Sequence, residues 1–189
     1  MSDNTNRNSI GEEKESLRKT IIKDLSSLDA EVKQNASASI SNKLIKLVRT
    51  NSSVLCYSPL KSEPNIRPAI QHWLKSNFRV CLPRVEGDQI QIYSVNSSDS
   101  LINSSMGILE PGPSNHNKIS PMEIDFILVP GIGFTRDGKR LGRGGGFYDK
   151  YLEKTSSQSL KIGVAFNLQI LDEIRTETHD IPVDLLITE

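Results

Sequence analysis

Three short runs, at 54–57, 125–129 and 161–166, are nearly continuous in apolar residues, and they constrain the fold more than any other feature of the chain. A strand covered on one face alternates apolar with polar residues, so a run without alternation is expected to be covered on both faces. Further strand-like runs lie at 79–82, 89–95 and 184–188, with helical or loop segments between them. Two helices are predicted before the first strand. Leu17, Ile21, Leu25 and Leu28 form one apolar face, and Ala36, Ile40, Leu44 and Leu47 or Val48 form a second that stops at the turn-prone Thr50-Asn51-Ser52-Ser53. Helices alternating with doubly covered strands predict a single-domain, three-layer α/β/α fold with a largely parallel sheet. The 189 residues suit one such domain, over 10–189, after a polar and flexible segment at 1–9.

Composition removes several functional classes. Lys plus Arg and Asp plus Glu balance at 23 each, so no general basic field is available to hold nucleic acid. No run approaches the ~18 apolar residues needed to span a bilayer. The opening MSDNTNRNSIGEEKES lacks the apolar centre of a secretion signal, so no membrane association and a cytoplasmic location are expected. Cys56 and Cys81 both fall inside strand-like runs and read as small buried hydrophobes rather than a disulfide or zinc site.

The segment from Val129 to Leu152, VPGIGFTRDGKRLGRGGGFYDKYL, carries the strongest functional signal. It holds seven glycines between Gly131 and Gly146, together with Arg136, Lys139, Arg140 and Arg143. Glycines let backbone N–H groups approach a ligand, and the cations select an anion such as a nucleotide phosphate. The segment matches neither a Walker A loop nor a GxGxxG fingerprint. It leaves the strand at 125–129 and enters a helix expected to begin near Phe147, whose N-terminus also favours anions. Ligands of parallel sheets bind beyond the carboxyl ends of strands. The loop from Tyr57 to Glu63 leaves another strand in the same sense, so both loops are expected to line one cleft.

Other residues admit two readings on pattern alone. Asp149, one turn into that helix, could bind a phosphate-bridging magnesium ion or simply complement the helix dipole. Asp180, in Thr178-His179-Asp180, could reach the same ion, while His179 reads as a structural hydrogen-bonding residue more readily than as a base. Lys14 and Arg18 share a helix face that a solvated basic edge would also explain, and Glu63 reads as an acid in a turn before Pro64.

Taken together, these segments resemble the 5-formyltetrahydrofolate cyclo-ligase family over nearly the whole chain. The pieces fall in family order: Lys14-x-x-x-Arg18, Tyr57 to Glu63, Leu82-Pro83-Arg84, Gly107-Ile108-Leu109-Glu110-Pro111, Val129-Pro130-Gly131, the element Gly138 to Asp149, and His179-Asp180-x-x-Val183-Asp184. The resemblance implies an enzyme that uses Mg-ATP to convert 5-formyltetrahydrofolate into 5,10-methenyltetrahydrofolate, releasing ADP and phosphate, with the formyl oxygen phosphorylated on the way. It implies ATP binding by Lys14, Arg18 and the run Arg140, Leu141, Gly142, Arg143, Gly144, Gly145, Gly146, Phe147 and Tyr148. Arg143 is the implied catalytic residue at the transferring phosphoryl group, and Asp149 and Asp180 are the implied magnesium ligands. Folate contacts are implied for Leu60, Glu63 and Arg143 to Phe147, with Glu63 accepting from the donor edge of the pterin. The implied partners are these small molecules, with the protein a monomer or weak homodimer. The chain departs from the family pattern at Phe147, where a tyrosine is common, and at Thr135, Pro64 and Gly145. A folate- or nucleotide-binding homologue without turnover is the alternative within the same fold. Without the resemblance, a phosphosugar isomerase of similar α/β class would fit the pattern.

Overall fold

The computed structural model describes residues 2–87, 89–96, 101–103, 109–112 and 117–189. Gly107, Ile108 and parts of the Ser/Asn-rich stretch at 94–105 lie outside them. Both expected helices precede the first strand. Helix α1 (Ser2–Ser27) buries Ile21 and Leu25, and it begins at Ser2, so residues 2–9 continue the same helix ahead of its apolar face. Helix α2 (Ala30–Leu47) starts at Asp29, whose carboxylate accepts from the amides of Glu31 and Val32 and so caps two otherwise unpaired donors. It buries Ala36, Ile40 and Leu44, and Val48 rather than Leu47 completes that face.

The central sheet runs β11 (Leu185–Ile187), β9 (Leu160–Val164), β6 (Phe126–Pro130), β1 (Ser53–Leu55), β2 (Arg79–Glu86), β3 (Gln89–Ser94). All neighbours are parallel except the hairpin of β2 with β3, so the sheet is largely parallel, as expected. The runs without alternation prove covered on both sides. Val54, Val80, Phe126, Leu128 and Ile162 point into one core with α1, α2 and α3 (Arg67–Leu74). Leu55, Cys81, Ile127 and Val129 point into the other with Tyr151 and Leu152 of α4 (Phe147–Leu152). This second outer layer is thin, since α4 spans only six residues and irregular segments supply Ile124 and Val183. Cys56 and Cys81 are buried free thiols on opposite faces, and burial pushes Cys81 up to about 12, which leaves it unreactive at neutral pH.

Two small sheets stand outside the expected pattern. One is β4 (Leu101–Asn103) with β5 (Leu109–Pro111); the other is β10 (Ile170–Leu171), β7 (Gly133–Thr135) and β8 (Arg140–Leu141). Strands β7 and β8 of the second lie inside the Gly/Arg segment, and their pairing with each other and with β10 turns that segment into a structured platform. Its hairpin closes where Thr135 Oγ1 accepts from the Lys139 amide at 3.0 Å, so the threonine keeps the turn. Because β1 continues to β2 on one side while β6 lies on its other side, the strand order reverses between β1 and β6. A crevice is expected there, beyond the strands' carboxyl ends. No helix among the described residues is long and apolar enough to cross a membrane.

Candidate active site

A cavity of about 620 Å³ opens at that switch point, lined by the loop after β1, the loop after β6, the side chains of α1 and the segment before β11. Every residue given a site role by the resemblance lies on its wall, namely Lys14, Arg18, Leu60, Glu63, Arg140 to Asp149 and Asp180, whereas Arg136 and Lys139, two of the four cations of the Gly/Arg segment, do not line it. The expectation that the two loops share one cleft therefore holds. Residues with no assigned site role join them, among them Pro83, Val85, Ile90, Glu110 and Glu177.

The Gly/Arg loop is shaped by two constraints. Gly144 and Gly146 have φ of +97° and +64°, which residues with a Cβ rarely adopt, and Gly146 caps α4 from that conformation. At Gly142 a Cβ would stand 2.8 Å from the Arg140 guanidinium, so the backbone must pass bare over that side chain. Arg140 itself is only 4% exposed, and its Nη2 donates to Asp149 Oδ1 at 2.5 Å. Such a pair adds little net stability, yet removing one member of a buried pair costs about 3–5 kcal/mol, so it fixes Asp149 in place. A Cβ at Gly145 would meet the Phe147 ring at 2.8 Å, so the aromatic occupies the space that a side chain at 145 would need.

Helix α1 brings Lys14 and Arg18 in over the loop, one turn apart. Neither sits on a solvated basic edge. Lys14 is 7% exposed and donates to Asp180 Oδ2 at 2.6 Å and to Glu177 Oε2 at 3.2 Å, while Arg18 Nε donates to the Gly142 carbonyl at 2.8 Å. Burial acts to raise the Asp180 pKa, but the Lys14 ammonium and the Glu177 amide outweigh it and hold the carboxylate below its ordinary range. His179 is exposed, with Nε2 at 3.9 Å from Asp180 and 4.0 Å from Glu177, beyond hydrogen-bond reach, so among the described residues it does not take the hydrogen-bonding role expected of it.

Across the cleft, Arg143 reaches the loop after β1. Its Nη2 and Nε donate to Glu63 Oε1 at 2.9 and 3.2 Å, and Nη2 also donates to Ser62 Oγ at 2.9 Å. Glu63 Oε2 accepts from the Leu60 amide at 3.0 Å, so both carboxylate oxygens are engaged. Tyr57 Oη, donating to the Pro64 carbonyl at 2.9 Å, closes the same loop from below, with Pro64 itself buried in it. The Tyr148 hydroxyl is buried with no hydrogen-bond partner among the described residues; burial, then the Glu63 charge, raises its pKa.

The two carboxylates proposed from sequence for a metal both line the cavity, and the Ile181 amide next to Asp180 donates to Asp149 Oδ1 at 3.3 Å, while Asp149 is ion-paired with Arg140 and Asp180 with Lys14. Among the described residues, no group of three or more His, Cys, Asp and Glu side chains is gathered to hold an ion by itself. Two carboxylates suit a magnesium ion that arrives with phosphate oxygens and keeps some of its water.

A glycine-rich loop, three arginines and two carboxylates line one cavity at the switch point of a parallel sheet, the place where α/β folds of this class take their ligands. The sequence profile of the 5-formyltetrahydrofolate cyclo-ligase family matches residues 10–189, and the chain belongs to that family. It is 29% identical over 180 residues to the 5-formyltetrahydrofolate cyclo-ligase of Mycolicibacterium smegmatis, covering 93% of each chain. Its fold superposes on the 5,10-methenyltetrahydrofolate synthetase of Aquifex aeolicus with a TM-score of 0.81 at 34% identity, over 92% of this chain and 88% of that one. The corresponding synthetase of Mycoplasma pneumoniae gives 0.76 at 26% identity, over 93% and 98%. The protein is accordingly an enzyme that converts 5-formyltetrahydrofolate to 5,10-methenyltetrahydrofolate.

Proposed function

We propose that the cleft performs this ring closure by phosphorylating the formyl oxygen with Mg-ATP. The observation that supports it best is the cavity's division of labour. Lys14 and Arg18 of α1 line it with Arg140 and two carboxylates, while the loop after β1 and strands β2 and β3 contribute the apolar Leu60, Pro83, Val85 and Ile90. The charged set suits a triphosphate and the apolar set a flat ring.

A formamide oxygen is a poor leaving group. In this reading it attacks the terminal phosphorus of ATP, ADP departs, and the formyl carbon becomes electrophilic. N10 of the folate then attacks that carbon, loses its proton, and phosphate leaves as the C=N bond forms. Phosphoryl transfer needs positioning and charge neutralisation more than covalent help, which agrees with a cleft built from cations and backbone N–H groups. Lys14, Arg18 and the loop 140–148 hold the phosphates, and Arg143 meets the phosphoryl group between the two ligands. Asp149 and Asp180 would hold magnesium, which supplies further neutralisation of phosphate charge. Leu60 and Phe147 pack on the folate. The balanced net charge favours small-molecule partners over nucleic acid, and the enzyme is proposed to act in the cytoplasm as a monomer or weak homodimer.

The test is a coupled assay with authentic 5-formyltetrahydrofolate. One ADP is expected per methenyltetrahydrofolate, and none of either without magnesium. Product formed without ATP would refute the proposal.

A further inference from the structure

Lys14 is shared by two acids, and the proposed chemistry uses only one of them. Its ammonium donates to Asp180 Oδ2 at 2.6 Å and to Glu177 Oε2 at 3.2 Å, with the lysine side chain 9% exposed and the two carboxylates 15% and 26%. Asp180 is a proposed magnesium ligand. Glu177 lines the same cavity, yet the described residues gather no cluster of three or more His, Cys, Asp and Glu that would make it a further ligand.

The local backbone holds the two acids in a fixed relation. The Asp180 amide donates to the Glu177 carbonyl at 3.0 Å, which closes the turn at Thr178 and His179, and the Glu177 amide donates back to Asp180 Oδ2 at 2.7 Å. Asp180 therefore receives both of its hydrogen bonds on Oδ2, and Oδ1 accepts none among the described residues. Asp149 shows the same asymmetry, since Arg140 and the Ile181 amide both donate to its Oδ1. Each acid thus keeps one oxygen for an ion while the other meets a cation of the chain. Once Asp180 shares its charge with a dication, that dication repels the Lys14 ammonium and competes for its partner. A buried ammonium then needs another acceptor, because an unpaired buried charge is strongly destabilising. Glu177 already touches it, so the ammonium passes from one carboxylate to the other without leaving the cleft.

We propose that Glu177 is a positioning residue for the nucleotide, holding Lys14 within reach of the phosphates while Asp180 binds magnesium. The inference rests on the Mg-ATP reading of the cleft and adds a residue to it.

The experiment measures calorimetric affinity for the β,γ-imido analogue of ATP, once with excess magnesium and once with a chelator. Wild type, Glu177→Gln and Glu177→Asp are compared, with melting curves recording the fold. Wild type is expected to bind the analogue more tightly with magnesium. Without magnesium Glu177→Gln should match wild type within about twofold, because Asp180 still holds Lys14. With magnesium it should bind at least about fivefold more weakly than wild type, the difference between a charged and a neutral acceptor. Glu177→Asp keeps the charge on a shorter stem, so it should recover part of that loss, and it carries the same comparison if the amide variant does not fold. A residue acting only through its charge would tighten the analogue in both conditions when neutralised, and one acting only on the fold would weaken it equally in both. Either result, or a magnesium-dependent loss under about fivefold in Glu177→Gln, overturns the inference while leaving the Mg-ATP reading intact. Wild type that does not bind the analogue, or binds it equally with and without magnesium, overturns the Mg-ATP reading and the inference with it.

Discussion

Replacement of Arg143 by alanine separates its contact with Glu63 from the role proposed for it at the phosphoryl group. Its guanidinium is 42% exposed and makes two hydrogen bonds to a Glu63 carboxylate that is only 5% exposed. Exposure of the arginine screens the pair, so its loss should cost about 1 kcal/mol of stability, with Glu63 keeping the Leu60 amide. For a chain of this length that lowers Tm by about 2–4 °C. The effect on chemistry should be far larger. A preorganised donor aimed at developing charge is worth about 10²–10³ in kcat. Single-turnover product formation at saturating ligands gives the chemical step, calorimetry gives the folate Kd, and a melt gives stability. Arg143→Lys keeps the charge but not the planar fork, so it should recover stability better than rate. Loss of kcat below about tenfold, or a folate Kd that rises by the same factor as kcat falls, would refute a phosphoryl role for Arg143 and leave it only a loop-holding one.

Lys14→Met should destabilise the protein by about 2 kcal/mol and weaken ATP binding, since it strands Asp180 and Glu177. A double-mutant cycle with Asp180→Asn should return a coupling of about 1–3 kcal/mol, and additivity would contradict the pairing. Gly138 has φ of +91°, and a Cβ there would lie 2.3 Å from the Val183 carbonyl oxygen. Gly138→Ala should therefore cost about 1–3 kcal/mol in a melt, and should weaken ATP binding by displacing the segment that carries Asp180. Asp125 is held low mainly by the Ser53 amide, and Asp180 is held low by Lys14 and the Glu177 amide against the pull of burial. Depressed folded pKa values mean that both contribute stability above the unfolded carboxylate value of about 3.9 and lose it as pH falls through the lower folded values. Tm should drop in that acid window, with a shallower fall in Asp125→Asn; an unchanged acid limb in that variant would contradict the assignment.

The parallel sheet was legible because doubly covered strands leave continuous apolar runs, and the two leading helices because Ile21, Leu25, Ile40 and Leu44 keep helical spacing. Strands β7, β8 and β10 left no such trace. They are two or three residues long, and β7 begins at a glycine, so neither alternation nor propensity can accumulate. The cleft loops were readable from glycines and cations at a strand exit. Their pairings were not, because an ion pair has no period: Lys14 finds Asp180 across 166 positions, and Arg143 finds Glu63 across 80. On pattern, Lys14 and Arg18 read first as a solvated edge, and the burial of Lys14 and the hydrogen bonds of both residues overturn that reading. Glu110 sat in a three-residue strand beside a proline, where nothing local marks a carboxyl as buried and facing a cavity.

The central claim is that the formyl oxygen is phosphorylated before the ring closes, and the path of that oxygen tests it directly. With 5-formyltetrahydrofolate carrying a heavy oxygen isotope in its formyl group, a single turnover with Mg-ATP should deliver the label into inorganic phosphate. Label found in water, with the phosphate unlabelled, would contradict the mechanism.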